Sequence, residues 1–318
     1  MSSKTGKIKI WGAQIRGSFL VLSVLLVCIG LSLSALHIEI TKSGIFNPYH
    51  AILLIVGVVL THISVNLFNE YSDYKTGIDS NTKRTPFSGG SGMIQAGLTK
   101  PKSVLFAAVT TLILALFIGI YFIIISHWSL IILMVIGGVA IVFYTTHLAK
   151  ILLGELFAGM TLGTFVVLGV YISMIGNWNI PAGDLLSLDI ILISIPPGLL
   201  TSLLLFLNEF PDAEADKKGG RFHIVIWLGK KKSAYIYSVV LAVIYAIIII
   251  IPAAGLASKW ILLALLTLPV AIKAASIAVK FGEDNEKLLS ALGMNVMIVL
   301  ITDALIAVAF LIKYIQVK

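Results

Sequence analysis

Charged side chains are scarce in this sequence. They make up 12% of its 318 residues, against about 25% in an ordinary soluble domain. The mean hydropathy is +1.03. A soluble globular fold is excluded, because a water-facing surface on a chain of this size needs far more polar groups than are present. Lipid must solvate most of the side chains. Cysteine is scarcer still. Cys28 is the single one, which excludes a disulfide within the chain and a cysteine-based metal centre; it reads as a small packed residue in an apolar run. Polar tracts long enough to form a separate soluble domain are also missing.

What is present is a series of apolar runs of spanning length, near 15–37, 48–70, 103–126, 129–147, 153–176, 187–210, 233–255, 258–279 and 288–313. A spanning helix needs about 20 residues, so the fold class is an all-α membrane protein, and nine transmembrane helices are expected. The first run follows Lys4, Lys7, Lys9 and Arg16, as a signal peptide would. It lacks a small-residue cleavage site and is followed by further spans, so it reads as a retained helix.

The net charge of +8 reads as basic cytoplasmic loops rather than a nucleic-acid surface. With the N-terminus placed inside, the N-terminal segment and the loops after helices 2, 4, 6 and 8, with the helix ends beside them, hold 19 of the 23 Lys and Arg residues. Only Lys42, Lys259, Lys313 and Lys318 fall outside. This asymmetry predicts a cytoplasmic N-terminus and an external C-terminus. The inside loops are also the long ones, at 71–102 and 211–232, and long loops in compact proteins are usually functional.

Two segments echo one another. Asn69-Glu70-Tyr71-Ser72-Asp73 closes helix 2, and Asn208-Glu209-Phe210-Pro211-Asp212 closes helix 6, 139 residues later. Both leave the membrane on the same side. The chain 1–318 therefore reads as a single domain with a possible parallel repeat of helices 1–4 and 5–8, plus helix 9. Asn69 and Asp73 share a helical face, Asn66 lies a turn earlier, and Gly77 lets Asp79 fold back towards them. Asn208, Asp212 and Asp216 stack at i, i+4 and i+8, with Pro211 expected to disturb the helix. Oxygen ligands at this spacing suit Mg²⁺, which takes one or two carboxylates together with phosphate and water oxygens. Two facing clusters would hold two or more Mg²⁺ ions around a diphosphate; the competing reading is that of ordinary charged residues at a membrane boundary.

Basic residues follow each cluster: Lys83 and Arg84 after the first, and Lys217, Lys218 and Arg221 after the second, with Lys150 in the loop after helix 4. Such cations stabilise the charge that develops on a departing diphosphate, or else only set topology. Arg16 and Tyr144 are either substrate contacts or interfacial anchors. Glu155 either caps helix 5 or faces a cavity. Asp303 lies within the ninth run, where an acid is costly and invites a functional reading. Pro196-Pro197-Gly198 implies a kink in helix 6, and kinked spans often line cavities.

The stretches Asn66-Leu-Phe-Asn-Glu-Tyr-Ser-Asp-Tyr-Lys-Thr-Gly-Ile-Asp79 and Asn208-Glu-Phe-Pro-Asp-Ala-Glu-Ala-Asp216, followed by Lys-Lys-Gly-Gly-Arg221, resemble the UbiA superfamily of intramembrane prenyltransferases. Tyr144-Thr145 and Gly154-Glu155 also sit where that family has similar residues. Within it, the Asp-Tyr-x-x-Gly-x-Asp pattern looks most like the 1,4-dihydroxy-2-naphthoate branch of menaquinone synthesis. The resemblance implies nine transmembrane helices around a central cavity, with a cytoplasmic active site on the cell membrane. It implies Mg²⁺ held by Asn69, Asp73, Asp79, Asn208, Asp212 and Asp216. Asp73, Asp79, Asp212, Asp216, Arg84 and Arg221 become the expected catalytic set. Arg16, Asn66, Lys83, Tyr144, Lys150 and Lys218 become the expected substrate contacts. Glu70 departs from the Asp that many members carry, and Gly17 from the usual Pro after Arg16.

The expected partners are a polyprenyl diphosphate, a small acceptor and the lipid bilayer, with neither nucleic acid nor an obligate protein partner. A naphthoate-like aromatic acceptor is the first expectation; geranylgeranylglyceryl phosphate, as in archaeal lipid synthesis, is the second. A cation-coupled transporter is the rival from another class. Acids on one side of the membrane, rather than at its midplane, argue against it.

Overall fold

The computed structural model describes residues 2–82, 84–85, 87–144 and 147–318, with side chains for all of these except 2–5 and 81. Among them there are helices and no strands. In order they are α1 (Ser2–Gln14), α2 (Gly17–Thr41), α3 (Pro48–Thr76), α4 (Ile78–Asn81), α5 (Pro101–Ile125), α6 (Leu130–Phe143), α7 (Gly154–Ile175), α8 (Leu188–Lys218), α9 (Ile224–Leu228), α10 (Lys230–Ala253), α11 (Lys259–Phe281) and α12 (Asn285–Val317). Among the described residues, eight of these are long and apolar enough to cross a membrane: α2, α3, α5, α7, α8, α10, α11 and α12.

The fourth apolar run, expected over 129–147, yields only α6, a helix of 14 residues. At 1.5 Å per residue it is about 21 Å long, short of a hydrocarbon core about 30 Å thick.

Contacts run around the bundle from α2 to α3, α5, α6, α7, α8, α10, α11 and α12, and α12 returns to α2. Within that ring α2 also meets α7, and α8 meets α12. Glycine makes the first of these inner contacts close: a Cβ on Gly30 would come within 2.7 Å of the Val170 side chain. Small residues at membrane helix contacts serve this purpose. An apolar cavity of about 240 Å³ lies between α3, α5, α6 and α7.

Two helices carry the acid motifs, and both run further than hydropathy suggests. Asn47 caps α3 by accepting from the backbone of Tyr49 and His50, with Pro48 at the first helical position; both are helix-starting devices. α3 continues past the apolar run to Thr76, where Gly77 adopts φ 75° and ends it, as a left-handed glycine does. α8 continues unbroken to Lys218 through Pro196, Pro197 and Pro211, so the expected disturbance at Pro211 does not interrupt the helix. The Pro-Pro site is supported from α7, which there winds as a π turn over Gly159–Thr164. Thr164 Oγ1 donates to the Ser194 carbonyl at 3.1 Å. A Cβ on Gly163 would lie 2.5 Å from Gly198 Cα. That close approach places the start of α7, and with it Glu155, against α8.

Candidate active site at the membrane boundary

The last turns of α3 and α8 face each other across a cavity of about 100 Å³. Asn69 and Asp73 line it from α3, Asn208, Glu209, Asp212 and Asp216 from α8, and Asp79 from α4. Asp79 reaches it because the chain reverses at Gly77. α4 then packs on the end of α8 so tightly that a Cβ on Gly219 would meet the Ile78 side chain. Tyr144, Arg16, Arg221 and His223 complete the polar wall.

Arg221 joins the two motifs. Its Nη2 pairs with Asp73 Oδ1 of α3, and its Nη1 with Asp216 Oδ1 of α8 at 2.8 Å. These two carboxylates hold the guanidinium firmly protonated, against the effect of its burial.

A glycine loop covers the acids. Gly89 and Gly90 have φ of 87° and 67°, a region that glycine enters without strain. Gly89 N–H donates to Asp212 Oδ2 at 3.2 Å. Gly90 lies against Asp79, where a Cβ would come within 2.6 Å of both carboxylate oxygens. Gln95 Nε2 donates to Asp79 Oδ2 at 3.2 Å. Burial, then the neighbouring Asp73 and Glu70 carboxylates, push the Asp79 carboxyl up to about 7.

Glu70, in the first motif, does something else. It is buried and accepts from Gln14 Nε2 at 2.9 Å, from Ser91 N–H at 2.7 Å and from Arg16 Nε at 3.4 Å. It thereby ties α1 and the glycine loop to α3. Arg16 takes part from a left-handed backbone conformation, φ 51° and ψ 51°, which costs a non-glycine residue about 1 kcal/mol or more.

The cavity carries five carboxylates, from Asp73, Asp79, Glu209, Asp212 and Asp216, against two guanidiniums, from Arg16 and Arg221. Unaided, it repels a diphosphate. Asn208 Oδ1 and Asp212 Oδ1 are buried without a hydrogen-bond partner, a costly state for polar atoms. These unpartnered oxygens, in a set made of carboxylates and an amide carbonyl, fit a hard divalent cation such as Mg²⁺.

The six expected metal ligands thus come together, with Arg16, Tyr144 and Arg221 beside them. The other expected contacts do not join them. Asn66 is buried one turn below, and its amide donates to the Ile15 carbonyl at 2.9 Å, so it fastens α1 rather than lining the cavity. Arg84 is exposed and donates through Nε to the Gly89 carbonyl at 3.3 Å, bracing the glycine loop. Lys150 and Lys218 are exposed and outside the cavity wall. Lys83 and Thr145 lie outside the described residues. His223 and Glu209 line the cavity without having been singled out as ligands. Glu209 lies within the repeated Asn-Glu-aromatic-x-Asp motif, whereas no local pattern marks His223, which reaches the site only through the turn that follows α8.

Directly below lies the apolar cavity. Val65 in its wall is one helical turn from Asn69 on α3, and Ile141 is one turn from Tyr144 at the end of α6. A polar chamber at the membrane boundary therefore stands over an apolar one, with α3 and α6 as shared walls.

Comparison with known proteins gives the family and the fold. Residues 30–299 match the model of the UbiA prenyltransferase family. A relative from Bacillus subtilis (strain 168), 1,4-dihydroxy-2-naphthoate octaprenyltransferase, is 32% identical over 67% of this chain. The match spans 65% of that relative, just under two thirds of its length. Among solved structures, the apo form of a UbiA homolog from Aeropyrum pernix K1 superposes with a TM-score of 0.63 at 18% identity, over 88% of this chain and 95% of that one. A UbiA homolog from Archaeoglobus fulgidus bound to DMAPP and Mg²⁺ gives 0.58 at 12% identity, over 96% and 98%. At these identities the two structures attest a common fold.

Proposed function

The chain belongs to the UbiA prenyltransferase family, and from that premise we propose that it moves a polyprenyl group from a prenyl diphosphate to an aromatic acceptor of the 1,4-dihydroxy-2-naphthoate type, in quinone synthesis. The observation that carries this reading is the stacking of the two cavities. An acid-lined chamber suits a metal-bound diphosphate, and the apolar chamber one turn below it suits the hydrocarbon tail. The naphthoate acceptor is supported by the name of the Bacillus subtilis relative. Mg²⁺ is supported by the unpartnered oxygens of Asn208 and Asp212 and by the ion bound to the Archaeoglobus fulgidus homolog.

In this mechanism Asn69, Asp73, Asp79, Asn208, Asp212 and Asp216 hold two or more Mg²⁺ ions. Bound there, the metal supplies positive charge that screens the diphosphate from the carboxylates and stabilises it as a leaving group. Arg221 and Arg16 supply the fixed positive charge of the chamber. The glycine loop, held against Asp212 and Asp79, covers the metal-binding acids. As the allylic C–O bond breaks, the electron pair leaves with the diphosphate. The ring carbon of the acceptor bonds to the allylic carbon, then loses its proton and regains aromaticity.

The Lys and Arg distribution supports a cytoplasmic N-terminus and chamber, an external C-terminus, and α6 as a shortened ninth crossing. Membranes containing the protein, given labelled geranylgeranyl diphosphate and a panel of acceptors, test the assignment by mass spectrometry of the lipid product. A naphthoate product that is lost with EDTA and in Asp73→Ala and Asp212→Ala is expected. Full transfer by those variants would overturn the site. A product formed only on a glyceryl phosphate acceptor would overturn the acceptor.

A further inference from the structure

Beside the oxygen-lined chamber is a second group of ligands with a different chemistry. Glu155 at the start of α7, Glu209 on α8 and His223 after α8 each bring one donor atom to a common point, all within 4.8 Å of one another. The three residues are 4%, 7% and 2% exposed. The Glu155 and Glu209 carboxyls face each other, and no well-aligned hydrogen bond satisfies Glu155 Oε2, Glu209 Oε2 or either ring nitrogen of His223, which stands at ion-pair distance from Glu209 and Asp216. Several unpartnered donors converging in a buried pocket is an expensive arrangement for a protein that leaves it empty. We propose that Glu155, Glu209 and His223 form a distinct metal site for a borderline first-row divalent ion, of the Zn²⁺, Mn²⁺ or Co²⁺ kind, rather than for Mg²⁺.

Three features separate this site from the aspartate one. The first is donor type: an imidazole nitrogen suits zinc and its neighbours, whereas Mg²⁺ selects oxygen. The second is spacing. His223 Nδ1 lies 3.4 Å from a Glu209 carboxylate oxygen, out of line for a hydrogen bond. Two ligands on a tetrahedral ion with bonds of about 2.0–2.1 Å stand roughly 3.3–3.4 Å apart, so this edge is already at its bound length. The third is the set of supporting contacts. Glu155 Oε1 accepts from the Ile224 backbone at 3.0 Å, which fixes the carboxylate and leaves Oε2 free. Its backbone carbonyl accepts from Ser202 Oγ at 2.7 Å. On the far side of the imidazole, Nε2 stands 3.3 Å from Asp216 Oδ2. A carboxylate behind a ligating histidine is the usual way to fix its tautomer and orientation.

Three protein ligands leave a tetrahedral ion one open position, as in catalytic rather than structural zinc sites. Glu209 and His223 also line the acid chamber, so an ion held there would border it. The site shares Glu209 and His223 with the wall of the acid chamber and is independent of the acceptor assigned above.

The test uses full-length protein in lipid nanodiscs, with Mg²⁺ and inorganic diphosphate in excess to fill the aspartate site. Co²⁺ is then titrated and followed by visible absorption, and Mn²⁺-loaded samples are examined by pulsed EPR. The expected result is about one further equivalent of Co²⁺ with the intense bands of a four-coordinate ion, and a directly bound ¹⁴N in the EPR spectrum. His223→Gln should abolish both signals. Asp216→Asn removes the carboxylate behind the imidazole, and with it one expected Mg²⁺ ligand and a partner of Arg221, and should weaken Co²⁺ binding by about 10-fold. Asp79→Asn should leave it in place. Glu155→Gln gives an independent check if His223→Gln fails to fold. No Co²⁺ uptake beyond the Mg²⁺-filled site, or uptake without nitrogen coupling, would mean that the pocket holds only a proton shared between the two glutamates, and the proposal would fail.

Discussion

Replacing Arg221 by glutamine should move metal affinity and turnover in opposite directions. In the metal-free protein the guanidinium occupies one oxygen of Asp73 and one of Asp216, two of the residues that would hold Mg²⁺. Unit charges about 4 Å apart interact by about 4 kcal/mol at an effective dielectric constant of 20. Even a third of that, returned to the carboxylates, corresponds to roughly a tenfold gain in Mg²⁺ affinity. The same substitution leaves two buried carboxylates without their cation, which costs about 3–5 kcal/mol of stability in the absence of metal. It also removes a fixed donor for the departing diphosphate, a loss of about 10²–10³ in kcat. Calorimetry of Mg²⁺ binding to the nanodisc-embedded variant, in the absence of diphosphate, measures the first effect. Product formation at saturating Mg²⁺ measures the last. Weaker or unchanged Mg²⁺ binding, or a kcat near that of the unaltered protein, would refute Arg221 as both competitor for the metal ligands and stabiliser of the leaving group.

Three further outcomes follow from the two chambers. The Asp79 carboxyl titrates near 7 and must ionise to ligate metal, so Mg²⁺ affinity should fall about tenfold per pH unit below 7. In the metal-free protein the sign reverses: the folded state keeps a proton that the unfolded chain loses near 4, so stability declines as pH rises from about 4 to 7. Thermal melts with and without Mg²⁺ at pH 6 and 8 check both signs. Gly90→Ala puts a methyl against both Asp79 oxygens at a φ of 67°; it should cost about 1 kcal/mol or more of backbone strain and weaken Mg²⁺ binding in calorimetry. Gly138→Leu grows into open space in the apolar cavity. Each five-carbon unit it displaces forfeits about 4 kcal/mol of burial at 0.8 per carbon, so the accepted prenyl chain should shorten, as read by competition between donors of different length.

The metal ligands were legible because helical spacing is a local property. Asn208, Asp212 and Asp216 share a face whatever surrounds them, and Gly77 announces the turn that brings Asp79 back. The helix ends were less legible. Hydropathy falls at residues 70 and 210, yet α3 and α8 continue because their polar turns face a chamber rather than leaving the bundle, and backbone hydrogen bonding is indifferent to that change. Glu70 looked like a variant ligand. Its actual partners, Gln14 and Ser91, lie 56 and 21 residues away, and no short pattern encodes a contact over such separations. The same holds for the two chambers, which exist only once α3, α6, α7 and α8 have packed. The short α6 ends at Phe143, and beyond the apolar run the described chain forms a 3₁₀ turn at Leu148–Lys150 and a left-handed Leu152.

The packing of α2 against α12 bears on how the protein is made. About 240 residues separate the two helices, and ribosomes add roughly 5–20 residues per second. α2 therefore spends tens of seconds in the bilayer before its partner is synthesised. Its polar groups are suited to that delay: Ser32 and Ser34 donate to carbonyls of their own helix, Ile29 and Gly30. Ser23 finds His62 on the next span to emerge. The serines of the helix can wait in lipid with their hydroxyls satisfied nearby, while His37 meets Tyr171 once α7 has emerged, so premature pairing through those hydroxyls gains little. Ring closure by α12 becomes the late event in biogenesis, after both halves of the acid chamber have been synthesised.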